Sequence, residues 1–302
     1  MEMKVPYDTL SYDIRTKLPI ALHLVQNARV GSSSEGTKKL SLYLNEVAEN
    51  PHAMVVFLRN MIDKEAGGSP ERMEILDKLS SMIYGVKDQT LAIMMDESLR
   101  SPDWKKYIKI GTEEYEDENG KTRKQNIYSA PLPPASYLSN NTETPLIHHL
   151  SFIKLSVGRS TAKLKEKPLY IGAFADKLEG HGSNSKPEWG LQRLYDLHLH
   201  EKPGFVVGGH MANAGAMTFF DGSNANTHYP ILIQPGWWAS SVDSAGKGNV
   251  KPGAEPGQAI IFMPGNNSED YMAFPTTSES ETRDMHDALM LLRGLDLIKK
   301  PE

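Results

Sequence analysis

Residues 201–238 read EKPGFVVGGHMANAGAMTFFDGSNANTHYPILIQPGWW, and this stretch sets the expected architecture of the second half of the chain. It contains three apolar runs of strand length, separated by segments rich in Gly, Asn and Ser. Similar runs lie on either side, and the five together are 169–171, 205–207, 217–220, 231–233 and 260–262. Strands joined by such turns predict a mainly antiparallel sheet, with helices expected at 188–200 and 282–298.

The first hundred residues instead carry apolar side chains at helical spacing. Four windows have an apolar stripe bounded by a capping residue, a proline or a glycine pair, namely 35–50, 52–65, 70–84 and 88–100. Short connections between helices predict antiparallel neighbours. The expected fold is therefore α+β, with an N-terminal helical bundle followed by a mainly antiparallel sheet with flanking helices. The chain is expected to divide into a helical region at 1–105 and an α+β region at 106–302, and the two regions could form one integrated domain.

The junction between these regions contains a turn signal. Residues 107–128 are polar and contain Asn119-Gly120, which predicts a β-hairpin because both turn positions tolerate positive φ. Residues 129–145 are rich in Pro, Ser and Asn and are expected to form a loop. Thr144-Pro145 is then expected to begin a further helix.

Composition excludes several classes of function. Hydrophobic residues make up 39% of the 302 and charged residues 24%, as in ordinary globular proteins. The formal charge of −5 argues against a nucleic-acid partner, since phosphate binding depends on clustered Lys and Arg. No apolar run is long enough to span a membrane, and the first residues do not have the pattern of a cleavable signal peptide. A soluble protein is therefore expected, either cytoplasmic or exported without such a signal. Because the chain has no cysteine, it has no disulfide and no thiol nucleophile.

The candidate catalytic residues are His210 and Asp221. If the strands before them form a hairpin, the Asp221 carboxylate could orient the His210 imidazole for general-base catalysis, while Gly209 lets a substrate approach closely. Other candidate binding residues are Asn224 and Gln234, as alternative polar partners, and Trp237, as an aromatic platform. The alternative interpretation is structural: a histidine at a strand end, an aspartate in an Asp-Gly turn and a tryptophan in the core.

These motifs resemble part of a known family. A strand, Gly-Gly-His, a second strand and an aromatic-aromatic-Asp-x-x-Asn ending resemble the His–Asp half of papain-like cysteine hydrolases, especially the compact versions that act as secreted bacterial effector (virulence) proteases. The resemblance implies that His210 is the general base, that Asp221 orients it and that the substrate is a protein. The family's cysteine at a helix start is absent here. Ser33 and Ser156 stand where a nucleophile could lie, although Ser33 equally suits a helix cap.

A metal site is a competing interpretation of the histidines. His198 and His200 would share one face of a strand and could bind a metal there with a third ligand. However, Leu191, Leu194 and Tyr195 recur at helical spacing, and on a helix the two histidines lie about 200° apart. We therefore expect no shared metal and no cofactor.

Three functions remain open from the sequence. The first is a papain-like hydrolase scaffold that acts on a protein by proteolysis, deamidation or acyl transfer. The second is a non-enzymatic interaction module whose helices bind a protein partner. The third is a metalloenzyme with histidine ligands. Metal analysis would test the third, and whether the natural gene encodes a cysteine where this chain has Ser or Ala would separate the first two.

Overall fold

The computed structural model of the chain describes residues 8–15, 20–26, 28, 30–31, 34–58, 61–62, 69–94, 108–116, 120–129, 134–147, 150–158, 169–174, 205–208, 215–218, 231–234, 258–263, 272–276, 284, 287–288 and 291. The helices of these ranges are α1 (Ser34–Glu49), α2 (Ser69–Tyr84) and α3 (Pro134–Thr142), with a short 3-10 turn at Lys87–Gln89. The strands are β1 (Asp8–Arg15), β2 (Ile20–Val25), β3 (Ala53–Phe57), β4 (Thr90–Met94), β5 (Ile108–Glu116), β6 (Thr122–Ser129), β7 (Leu146–Ile147), β8 (Leu150–Gly158), β9 (Leu169–Phe174), β10 (Phe205–Gly208), β11 (Gly215–Thr218), β12 (Ile231–Gln234), β13 (Gln258–Met263) and β14 (Met272–Thr276).

Sheet B has the strand order β14-β13-β2-β3-β4-β7. The strands β2, β3, β4 and β7 are parallel and adjacent in this order; α1 lies between β2 and β3 in the chain, α2 between β3 and β4, and β5, β6 and α3 between β4 and β7. Side chains of α1, α2 and α3 pack in one apolar cluster against a single face of these strands, with Tyr43, Leu79 and Leu138 contributed by the helices. The strands β2, β3, β4 and β7 therefore form a parallel group that is covered by helices on one side.

Sheet A covers the other face of sheet B. Its strand order is β1-β8-β9-β10-β12-β11. Ile153 and Leu155 of β8 pack in one buried cluster with Leu22 and Leu24 of β2. Because alternate residues of a strand point to opposite faces, β2 contributes Leu24 to this cluster and Val25 to the helical one. The molecule thus has three layers: helices, sheet B and sheet A.

The expected helical bundle is wrong. Two of the four windows contain strands, β3 in 52–65 and β4 in 88–100, and the sheets are mostly parallel, so the fold is α/β. A strand buried on both faces forms a continuous apolar run, which is indistinguishable by spacing from a buried helix. Every residue of β4 is buried, as this explanation requires.

The secondary structure around residue 140 also differs from the expectation. The expected loop at 129–145 contains α3, in which Leu138 is buried in the helical cluster. The helix expected from Thr144-Pro145 is replaced by β7 and β8. Apolar burial outweighed the weak helix propensity of the Ser and Asn residues in α3.

Other expectations are confirmed. The windows 35–50 and 70–84 contain α1 and α2. The strands β5 and β6 pair as the expected antiparallel hairpin, and Gly120 between them has a φ of 70°. The apolar runs of the second half lie in or overlap β9 to β13. The window 188–200 lies outside the described residues, and the four described residues of 282–298 are helical.

Strand pairing connects the two regions expected on either side of residue 105. The first strand, β1, is parallel to β8 over its whole length, and β2 is antiparallel to β13. Parts distant in sequence therefore share both sheets. A search of the described helices for one long and apolar enough to cross a membrane finds none.

Candidate functional site

The hairpin expected between β10 and β11 is absent, because β12 lies between these two strands. The strand β10 is parallel to β12, whereas β11 is antiparallel to it. The carboxyl ends of β10 and β11 therefore lie at opposite edges of sheet A. His210 comes two residues after β10 and Asp221 three residues after β11, and both lie outside the described residues.

The carboxyl ends of β9, β10 and β12 lie side by side. We call the border of sheet A that these strand ends form its carboxyl edge, as distinct from the outer strands of a sheet. Phe174 of β9 is in register with Gly208 of β10. Gly208 in turn is level with Gln234, because Val207 pairs with Ile233 one position earlier. Ligand sites of α/β proteins usually lie at such carboxyl ends. The segments that follow these ends in sequence begin with Gly209-His210 and with Pro235-Gly236-Trp237.

Of the predicted site residues, the structure describes Gln234 and Ser156. Gln234 ends β12 and therefore lies at the carboxyl edge. Ser156 lies within β8, where it pairs with Asp13 of β1 and not at a helix start. Since Leu155 pairs with Leu169, Ser156 is close to the amino end of β9, about 20 Å along the strand from the carboxyl edge. Gly209, Asn224, Trp237 and Ser33 lie outside the described residues.

Sheet B also has a carboxyl edge with polar residues, which the sequence analysis missed. Gln26 follows β2 and is fully buried, and Thr37 in the first turns of α1 is 5% exposed. The chain beyond β2 stays beside the chain beyond β3, since the Val30 amide donates to the Met61 carbonyl oxygen at 2.8 Å. The run at 20–25, which is apolar except for His23, followed by Gln26 was the available signal. Gln26 and Thr37 are neutral and both interact with other groups.

A buried histidine that the sequence analysis also missed lies inside the helical layer. The His23 ring on β2 contacts the Tyr43 ring of α1 edge to face, with ring centroids 5.5 Å apart, and His23 Nδ1 shares a hydrogen bond with the Tyr43 hydroxyl. His23 and Tyr43 are 3% and 2% exposed. A pair so deeply covered joins β2 to α1 and is not accessible to a substrate.

Metal binding finds no support in the part of the chain that is described. No three His, Asp or Glu residues there are grouped as metal ligands. His198 and His200 fall outside these ranges, so the expectation that they do not share a metal stays a prediction.

Comparisons with known proteins give little information on function. No protein-family model and no curated protein matches the chain. Among solved structures, the crystal structure of the calcineurin-like phosphoesterase YfkN from Bacillus subtilis matches at 12% identity with a TM-score of 0.33, covering 94% of this chain and 100% of that one. A likeness this distant establishes neither fold nor activity, so the function must be argued from the strands themselves.

Proposed function

We propose that the protein is a hydrolase whose substrate binds at the carboxyl edge of sheet A, with His210 as the acid–base group. The observation that carries this proposal is the in-register ending of β10 and β12. Because these two strands end side by side, the Gly209-His210 segment and the segment that contains Trp237 begin at neighbouring points of the carboxyl edge. Gln234, which ends β12, adds an amide that can donate and accept hydrogen bonds.

The choice of hydrolysis rests on the residue types present. Because the chain has no cysteine, a thiol cannot be the nucleophile. A histidine with an ordinary pKa near 6.5 can take a proton from water at neutral pH. In the proposed step, the water oxygen forms a bond to the acyl or phosphoryl centre and the bond to the leaving oxygen breaks. The proton held by His210 then passes to the leaving group.

The papain-like form of this function is not retained. It required β10 and β11 to be neighbours, so that Asp221 could orient His210, and β12 separates them. We propose instead that Gln234, the last residue of β12, supplies the polar partner of His210. An amide can hold the ring by hydrogen bonds without stabilising its positive charge as a carboxylate does.

The test is hydrolysis of p-nitrophenyl acetate and p-nitrophenyl phosphate by the purified protein. For whichever ester is cleaved, we expect His210→Ala to lower kcat/KM by about 10²–10⁴-fold, as loss of a general base does. The control is His52→Ala, because His52 lies in the turn before β3, where its amide donates to Asn50 Oδ1 at 2.9 Å. A His210→Ala variant as active as the wild type, or cleavage of neither ester, would contradict the proposal.

A further inference from the structure

The hairpin of β5 and β6 stands apart from both large sheets. It forms its own two-stranded sheet, and the side chains of residues 112–116 and 121–127 are exposed. Among them are large apolar side chains, with Tyr115 at 45% and Ile127 at 40% exposed. The strand β5 contacts α2, but the part of the chain described here places no strand against either outer edge of the hairpin.

The two strands of this hairpin have opposite charge. Residues 112–116 of β5 include Glu113, Glu114 and Glu116 and no cation, while Lys109 lies near the start of the strand. The facing part carries Lys121, Arg123 and Lys124 and no carboxylate. Within one hairpin Lys124 Nζ lies 2.9 Å from Glu114 Oε1, while Glu113 and Glu116 are opposite the neutral Gln125 and Thr122. One outer edge is therefore acidic and the other basic.

We propose that these edges bind a second copy of this chain, with the β5 edge of one molecule against the β6 edge of the next. Backbone hydrogen bonds would extend the sheet, and glutamates of one copy would face the lysines and arginine of the other. The partner is a second copy of this chain because each hairpin has an acidic strand and a basic strand. The acidic strand of one hairpin can therefore pair with the basic strand of another. This inference is independent of the proposed hydrolase activity.

The charges also determine the symmetry of the assembly. A two-fold dimer would place β5 against β5 or β6 against β6, and like charges directly opposite destabilise a strand pair. The β5-to-β6 contact joins different surfaces, so each added copy leaves one free edge. The product is a ring or an open chain and not a two-fold dimer.

Charged side chains on edge strands usually prevent association, which is the alternative explanation. That protection works when the two edge strands that meet carry charges of the same sign. Here it blocks the symmetrical contacts and leaves the head-to-tail contact attractive. Attraction between exposed charges is screened by salt, with a Debye length of about 10 Å at 0.1 M.

The test measures the mass of the full chain by sedimentation velocity over a range of concentrations, at low and high salt. For the wild type we expect the mass to rise about twofold or more above the 33.6 kDa monomer, and to fall again at high salt. Two variants keep the Glu114–Lys124 ion pair but give both edges one sign: E113K/E116K makes both basic, and K121E/R123E makes both acidic. Each alone should be monomeric, and an equimolar mixture should associate.

The changed residues of β5 face neutral ones, and both variants keep the Glu114–Lys124 ion pair. Circular dichroism and thermal unfolding check that the rest of the chain is unchanged. Three outcomes overturn the proposal: a wild type that is monomeric throughout, variants that associate alone as the wild type does, or a mixture that stays monomeric. Loss of esterase activity with normal assembly would affect the proposed function only.

Discussion

At the scale of single residues, Tyr12 connects the two sheets. Its hydroxyl on β1 donates a hydrogen bond to the carbonyl oxygen of Leu91 on β4. Burial raises the pKa of Tyr12 above its ordinary value of 10.0, since the phenolate is less well solvated there than in water. The folded state therefore holds this proton more tightly than the unfolded state.

Tyr12→Phe should lower the free energy of unfolding by about 0.5–1.5 kcal/mol at neutral pH, because one hydrogen bond is lost. The difference should shrink as the pH rises above 10. Above pH 10 the Tyr12 hydroxyl ionises in the unfolded wild type but stays protonated to a higher pH in the folded protein, and this ionisation stabilises the unfolded state. The variant has no hydroxyl at this position, so its free energy of unfolding does not fall for this reason. Urea unfolding at several pH values measures this. Tyr115→Phe, at an exposed position, is the control, and a constant difference across the pH range would contradict the prediction.

At the scale of elements, α1 shows why one helix was predicted correctly. Its buried residues recur every three or four positions, with Leu40, Tyr43, Leu44 and Val47 all inside the helical layer. Leu42, two residues after Leu40, is 49% exposed. One helix thus contains a buried and an exposed leucine in the same backbone conformation.

Leu40→Ala should lower the free energy of unfolding by about 2–5 kcal/mol, because it removes apolar contacts and leaves a cavity. Leu42→Ala should change it by less than about 0.5 kcal/mol, since the side chain is exposed and alanine favours helices. Urea unfolding of both variants makes the comparison. Similar losses for the two would mean that α1 does not bury the face described here.

At the scale of the whole molecule, one apolar cluster joins the sheets. Ile153 of β8 is fully buried in it together with residues of β2, β3 and β4. A change at this position removes contacts of both sheets at once. Strands of the two sheets should therefore lose protection together.

Ile153→Ala should lower the free energy of unfolding by about 2–5 kcal/mol. Amide hydrogen exchange should become faster in β2–β4 as well as in β1 and β8, because the cluster supports both sheets. The matched control is Ile127→Ala in the exposed hairpin, which should leave exchange in both sheets unchanged. Faster exchange confined to β1 and β8 would show that the sheets are not coupled.

Local signals in the sequence determined the elements that depend on neighbouring residues. The amphipathic stripes of α1 and α2 and the Asn119-Gly120 turn of the hairpin are of this kind. Each is set by interactions between residues a few positions apart, so no distant part of the chain is needed to specify it. The absence of cysteine also excluded thiol chemistry without any structure.

Only the tertiary structure decided which apolar runs are strands and how they are ordered. The runs at β3 and β4 are apolar on both faces because helices cover one side and sheet A the other, and spacing alone does not reveal two partners. The insertion of β12 between β10 and β11 was likewise invisible, since strand order depends on contacts between distant residues. Because β11 runs opposite to β10 and β12, the strand ends before His210 and Asp221 lie at opposite ends of the sheet, and Gln234 lies level with the end of β10.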